Sequence, residues 1–350
     1  MKQPLNSNND KVYLALKTSE QAVNEALEQI EAERSGIQRG LFSRFPLLNL
    51  GLLKYWRFDT VTLIAAMSGA GKSYFLGMLK QDFTNPRING RFDSKVIILH
   101  ACYEMSASNE IVRILASDVE VSYAHVLTAE YDKDTKGYKG LNDEEYVRLK
   151  DEAEKMKKLP IYYIETAGSL EALGNTLDSV IEKFPKHKVV LMIDHTLLSR
   201  KTREMRDDLA LVAATAQFCI DKKKKYNKNL MIIMLGQLNG NIERDERIQT
   251  PALHFPKKTD IHAQAQLYWA CDNVMVLHRP ELLGIRLYSS KKYHTAKLVH
   301  LYLLKSRFGN IGSIYLYEQL HKGVFQNIPS NLINGENPPL QQKSLFELMS

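Results

Sequence analysis

The stretch Val61-Thr-Leu-Ile-Ala-Ala-Met-Ser-Gly-Ala-Gly-Lys-Ser73 runs from an apolar segment into a glycine turn, and Tyr74 to Phe83 continue it as a helix-forming stretch. Ala66 to Ser73 read as a phosphate-binding loop in its proper setting, a buried strand followed by a tight turn and a helix. Ala66 stands where the pattern usually opens with glycine. Gly69 and Gly71 let the backbone curl, so that its N–H groups and the positive end of the helix converge on phosphate. Ser68, Gly69, Ala70, Gly71, Lys72, Ser73 and Tyr74 are the nucleotide-binding candidates. Lys72 reaches the β- and γ-phosphates, and the Ser73 hydroxyl is a Mg²⁺ ligand. The cofactors implied are ATP or another NTP, with Mg²⁺.

Outward from the loop, strands and helices alternate. The candidate strands are Thr60–Ala65, Lys95–Ala101, Ile161–Ile164, Val189–Ile193 and Leu230–Leu235, with later ones near Asn273–Leu277, Lys297–Leu304 and Gly312–Tyr317. Asn142 with Glu145 caps a charged helix running to Lys158. The alternation predicts an α/β fold: a mainly parallel twisted sheet with helices on both faces. Before it, Thr18–Arg34 reads as a helix, with a Thr18/Gln21 capping box and a narrow stripe of Val23, Ala26, Leu27 and Ile30. Three segments are expected: an arm over 1–36, the nucleotide-binding domain over 37–328 and a flexible tail over 329–350.

Composition narrows the class. The 350 residues are 44% hydrophobic and 25% charged, ordinary for a globular chain. No apolar run approaches the ~18 residues of a membrane span. The polar start, Met1 to Lys11, is not a secretory signal. Three scattered cysteines, Cys102, Cys219 and Cys271, argue for a reducing compartment, and a cytoplasmic location is expected. The net charge of +7 suits a polyanion partner. Its densest run, Lys222 to Lys225, reads as a solvated helix end.

Four constellations add chemistry. Glu104, in His100-Ala-Cys-Tyr-Glu-Met105, follows the second strand and is placed to polarise an attacking water. Asp194 ends the apolar strand Val189–Ile193 and is the second Mg²⁺ ligand, as a Walker B carboxylate. Gln237, at the end of Met231–Gly236, is placed to sense the γ-phosphate. Lys305 and Arg307 follow a strand and, on an extended chain, point the same way. Two such cations suit a phosphate bound to an adjacent subunit.

In order and spacing these elements resemble the DnaB-type replicative helicases, a RecA-like family. The matching stretches are Ala66–Ser73, Tyr103-Glu-Met105, Leu191–Asp194, Gly236-Gln-Leu-Asn239 and Lys305-x-Arg307 with Gly309 and Ile311-Gly312, spread over residues 37 to 328. The resemblance implies a RecA-like fold and a homo-hexameric ring that moves on single-stranded DNA during replication, with ATP sites between subunits. It also implies contacts with primase or other replisome proteins. The family's Asp-Tyr-x-Gln is here Asp194-His-Thr-Leu197, and its Asp-Leu-Arg-Glu-Ser-Gly segment is here Asp260-Ile-His-Ala-Gln-Ala-Gln266. Its usual helical N-terminal domain has no counterpart, and Thr18–Arg34 resembles its linker helix. The short form is similar to phage or mobile-element helicases, which implies the host cytoplasm.

Two basic loops are candidates for DNA. One holds Arg200, Lys201, Arg203 and Arg206; the other holds Arg244, Arg247, Lys257 and Lys258. Neither is rich in aromatics for stacking bases. Two alternatives stand beside the helicase: a RecA/RadA-like recombinase or regulatory ATPase, and a non-motor nucleotide-binding ring or loader.

Overall fold

The computed structural model describes residues 16–92, 94–194, 200–201, 205, 207–250 and 254–328. The chain divides into two units, residues 1–39 and 40–350. In the first, helix α1 spans Ser19–Arg34. Its start follows from the Thr18/Gln21 capping box, in which each side chain satisfies the other residue's backbone N–H. None of its residues is buried, and Val23, Leu27 and Ile30 are each more than half exposed.

The second unit is built on a sheet of nine strands: β1 (Val61–Ala66), β2 (Lys95–Cys102), β3 (Ile161–Ile164), β4 (His187–Asp194), β5 (Leu230–Gln237), β6 (Asn273–His278), β7 (Leu298–Ser306), β8 (Gly312–Gln319) and β9 (Val324–Asn327). Their spatial order is β9-β8-β7-β6-β1-β5-β4-β2-β3. From β6 to β3 the neighbours run parallel; β7, β8 and β9 extend the sheet antiparallel. The helices are α2 (Lys72–Thr84), α3 (Ala107–Asp118), α4 (Asp143–Met156), α5 (Leu170–Lys183), α6 (Asp208–Tyr226) and α7 (Gln264–Ala270). The expected Asn142/Glu145 box caps α4.

Every residue of β1 is buried, which is why β1 reads as an unbroken apolar run. Ile64 and Ala66 join the core beneath α2, with Ile98, Val190, Ile233 and Met275. Val61, Leu63 and Ala65 join the opposite core, with Leu99, Leu191, Val212 and Val276. Alternate residues of one strand thus serve two cores. Each fully buried aliphatic side chain contributes roughly 1.5–3 kcal/mol.

Two expectations need correction. The sheet has a ninth strand, Val324–Asn327, and the unit carries three small ribbons that sequence period did not reveal. Elements of two to four residues are too short to show a period. The lysine run at the end of α6 is also not simply solvated. Lys222 and Lys225 pair with Asp178 at 2.6 and 2.8 Å, and Lys223 reaches the buried Asp272 at 2.8 Å.

Candidate active site

Parallel register gathers the polar strand ends at one edge. Ala66 lies beside Gln237 on one side and Leu277 on the other, and Cys102 lies beside Asp194. The phosphate loop leaves β1 in the middle of this row. Gly69 and Gly71 both have positive φ, 74° and 95°. At Gly71 a side chain is excluded twice over, because a Cβ would also lie 2.6 Å from the Phe325 ring.

Gly71 caps α2, so Lys72 and Ser73 open that helix at the loop mouth. Lys72 Nζ donates to the carbonyls of Met67 at 3.2 Å and Ala66 at 3.4 Å. Burial pushes its pKa down, and the charges of Asp194 and Glu104 push it back up. Ser73 Oγ donates to Asp194 Oδ2 at 3.1 Å. Asp194 is only 5% exposed, and burial raises its carboxyl above the usual range despite His100 and Ser73. A buried carboxylate against a hydroxyl, with its ionised form poorly compensated, is donor chemistry that fits a hard divalent cation. Ser73 and Asp194 would hold Mg²⁺, which supplies charge neutralisation of bound phosphates.

Glu104 is exposed at the bend after β2, and its charge bears on both Lys72 and Asp194. Gln237 is exposed beside the loop; its carbonyl accepts from His262 N at 3.0 Å, while Leu238 N donates to Ala66 O at 3.2 Å. The residue after the γ-phosphate candidate is therefore bonded directly to the phosphate strand.

Arg307 lies at the other end of β1, and Lys305 lies level with its middle. Lys305 pairs with Val274, which pairs with Leu63. Arg307 N donates to Asp272 O, and Asp272 N donates to Val61 O, at 2.9 and 2.8 Å. Along β1, at ~3.3 Å per residue, Arg307 is roughly 16 Å and Lys305 roughly 10 Å from the start of the phosphate loop of the same chain. Arg307 lies just past the end of β7, which closes at Ser306, and the register shift in that strand falls before Lys305, at Leu304. Arg307 also has an acidic partner: its Nε meets Asp272 Oδ1 at 2.8 Å, leaving the side chain 52% exposed. Lys305 Nζ donates to the carbonyls of Tyr268 and Trp269, at 2.8 and 3.4 Å.

The model of the DnaB-like helicase C-terminal domain matches residues 40–327. The chain belongs to that family. Its described fold is similar to two solved structures. One is the ATPase domain of G40P (TM-score 0.69, 18% identity, covering 88% of this chain and 99% of that one). The other is a DnaB-like replicative helicase studied with its primase interactions (TM-score 0.69, 19% identity, covering 90% of this chain and 68% of that one). Among curated proteins none matches the chain.

Within this DnaB-like domain two site features were missed in sequence. Arg279, just past β6, donates from Nη1 to Gly69 O at 3.3 Å and is anchored by Glu281 and by Glu318, the latter at 2.9 Å. It braces the phosphate loop from a neighbouring strand, and only the order of strands reveals that proximity. The second is a buried group beneath the site: Lys80 of α2, His100 of β2 and Glu110 of α3. Burial raises the Glu110 carboxyl, but the His100 hydrogen bond and the Lys80 charge outweigh it and hold the carboxyl at about 2. Burial drives Lys80 and His100 both down. Lys80 sits in a helix that reads as ordinary amphipathic sequence, so no local signal marked it.

The basic loops divide. Arg200 N bonds Gly168 O at 2.9 Å, and Lys201 pairs with Asp208 at 2.5 Å. Arg203 and Arg206 lie outside the described residues. Arg244, Lys257 and Lys258 are exposed. Arg247 is not offered outward. Its guanidinium meets Asp260 at 2.6 Å and donates to the carbonyls of Asn241 and Phe255, at 3.2 and 2.6 Å. Asp260 is fully buried, so the altered segment begins with a residue committed to holding its own loop.

Proposed function

We propose that this chain is the motor domain of a ring-forming, NTP-driven helicase that moves on single-stranded DNA in replication, with hydrolysis at subunit interfaces. The observation that carries this is the separation of two half-sites. Lys72, Ser73, Glu104, Asp194 and Gln237 gather at one end of β1, while Arg307 stands at the other and Lys305 level with the middle. Neither half is complete alone. Two copies placed edge to edge make one whole site, and repetition of that contact closes a ring.

In this scheme the backbone N–H groups of Ser68 to Ser73 and Lys72 bind the NTP phosphates, and Tyr74 follows at the start of α2. Glu104 orients and deprotonates the attacking water. Lys305 and Arg307 of the adjacent copy stabilise charge on the transferring phosphoryl group. Gln237 links the phosphate end of β5 to the loop that follows. That loop offers Arg244, Lys257 and Lys258, and the loop before α6 offers Arg200 and Lys201, to DNA phosphates without reading sequence. A primase is a candidate partner by analogy with the similar helicase. The rival of a non-motor ring predicts that single-stranded DNA leaves hydrolysis unchanged.

The deciding experiment mixes Arg307→Ala with Lys72→Ala subunits. Each variant alone is expected to lose turnover. Mixed rings place intact Lys72 against intact Arg307 at some interfaces and recover part of it. Mixed rings that form but recover nothing would sink the shared-site assignment.

A further inference from the structure

Three ionisable side chains that the hydrolytic scheme leaves unused are packed together beneath the candidate site. Lys80, His100 and Glu110 are 0%, 1% and 4% exposed. Lys80 Nζ donates to Glu110 Oε1, and His100 Nδ1 lies 3.1 Å from both Lys80 Nζ and Glu110 Oε2. The Tyr163 ring of β3 borders the group, its centroid 5.1 Å from Lys80 Nζ and 5.8 Å from that of the imidazole. Each member comes from a different element. Lys80 stands seven residues past Ser73, close to two turns, and so on the same face of α2. His100 precedes Glu104 by four residues on β2, and Glu110 follows it by six on α3. The trio thus grips both arms of the bend that carries Glu104 and joins them to the helix opened by Lys72 and Ser73. Ser73, Met105 and Glu110 line one cleft between α2 and α3. A second tie, Ala107 N to Glu165 Oε1 at 2.8 Å just past the bend, is made by an exposed carboxylate.

We propose that Lys80, His100 and Glu110 are positioning residues for hydrolysis, which set the Glu104 bend against the phosphate-loop helix. An apolar trio of similar volume would hold the three elements together at least as well, because two buried charges lose their hydration. It would not fix their register. Apolar contact is non-directional, whereas an ammonium shared between a carboxylate and an imidazole accepts only a narrow range of geometries. A general base needs that narrowness. It works within hydrogen-bond reach of the water, and a displacement of about 1 Å costs up to ~10²-fold in rate. Glu104 is itself exposed on a short bend, between the end of β2 at Cys102 and the start of α3 at Ala107. Its placement therefore comes from what anchors the two arms. The proposal rests on the reading of Glu104 as the residue that deprotonates the attacking water.

The test removes the charges without stranding one of them. Lys80→Met/Glu110→Gln keeps both side-chain lengths and leaves position 110 able to bond His100. Lys80→Met/His100→Leu/Glu110→Leu makes the trio wholly apolar and guards against misfolding of the first variant. Steady-state hydrolysis and equilibrium binding of a fluorescent NTP analogue with Mg²⁺ are measured on the full chain, beside thermal unfolding. Both variants should fold and bind nucleotide as wild type does, with turnover lowered about 10- to 10²-fold. On a Glu104→Gln background the same substitutions should lower turnover no further, because a tie that acts through Glu104 has nothing left to position. A loss that adds fully to that of Glu104→Gln overturns the proposal. Weaker Mg²⁺-dependent binding with unchanged turnover at saturation would place the trio under Asp194 and also overturns it. Failure of both variants to fold would make the trio structural, with the same consequence. If Glu104→Gln is slow while the trio variants match wild type, only the tie falls. If Glu104→Gln hydrolyses at the wild-type rate, the reading of Glu104 falls and the tie with it.

Discussion

Two carboxylates bear on the charge of Lys72, and their surroundings differ. Asp194 is 5% exposed, ends a strand buried on both faces and touches Ser73. Glu104 is exposed on a bend, open to solvent. Burial makes the Asp194 charge costly unless a cation shares it, whereas Glu104 has access to the water it would deprotonate. Glu104→Gln should therefore bind nucleotide as wild type does while turnover falls about 10²–10⁴-fold, the ordinary worth of a general base. Asp194→Asn should instead weaken Mg²⁺-dependent nucleotide binding. Steady-state hydrolysis beside equilibrium binding of a fluorescent analogue separates the two. Full turnover in Glu104→Gln would move the base elsewhere.

At the scale of the element, Arg247 is a central tie of the loop between β5 and α7. Arg247 reaches Asp260 and two carbonyls, and Asp260 also accepts from Lys257 N at 2.7 Å. These bonds join parts of a segment whose described residues include three short helical turns. Removing one partner of a buried ion pair costs about 3–5 kcal/mol, less here because Arg247 is partly solvated. Arg247→Ala should accordingly raise amide exchange across 241–258, with the sheet strands little changed. Arg247→Lys should fail to rescue it, since a single ammonium cannot reproduce a planar fork serving three acceptors. If exchange stays at the wild-type level, the loop is held by other contacts.

At the scale of the whole molecule, three buried aromatic residues join β6, β7 and the ribbon at 287–294. His278 and His300 are 1% and 0% exposed, and Tyr288 packs between them. His300 is bonded to Tyr288 and Ser313 at 2.8 and 2.9 Å, and burial lowers its pKa to about 3. The unfolded chain takes up this proton near pH 6.5, the folded one only near 3, so between those values the unfolded state binds more protons. Stability must fall on acidification through that window, by up to ~1.4 kcal/mol per pH unit from this group. His300→Phe, though weaker at neutral pH, should show a correspondingly flatter slope between pH 6 and 4 in denaturant titrations. An unchanged slope would assign the acid sensitivity to other groups. The arm belongs to the same scale. Its stripe of Val23, Leu27 and Ile30 is exposed, and on the linker-helix resemblance we propose a neighbouring copy as the surface that covers it. Deleting residues 1–36 should leave a folded domain that sediments as smaller species with nucleotide. Intact rings without the arm would end that analogy.

The sequence by itself determined whatever depends on local order. The phosphate loop, the capping boxes at Thr18 and Asn142, and the six strands Val61–Ala66 to Asn273–His278 follow from glycine spacing, cap chemistry and unbroken apolar runs. Asp194 and Glu104 were legible because each ends or follows such a run. Tertiary structure alone decided which strand ends meet. Strand order placed Arg279 on Gly69, set Asp272 against Arg307, and brought Lys80, His100 and Glu110 together. It also turned Arg247 inward and left Trp269 outward. The physical reason is the same in each case. A side chain's charge state and partners depend on residues tens to hundreds of positions away, and hydrophobic period records that a face is buried without recording what it is buried against.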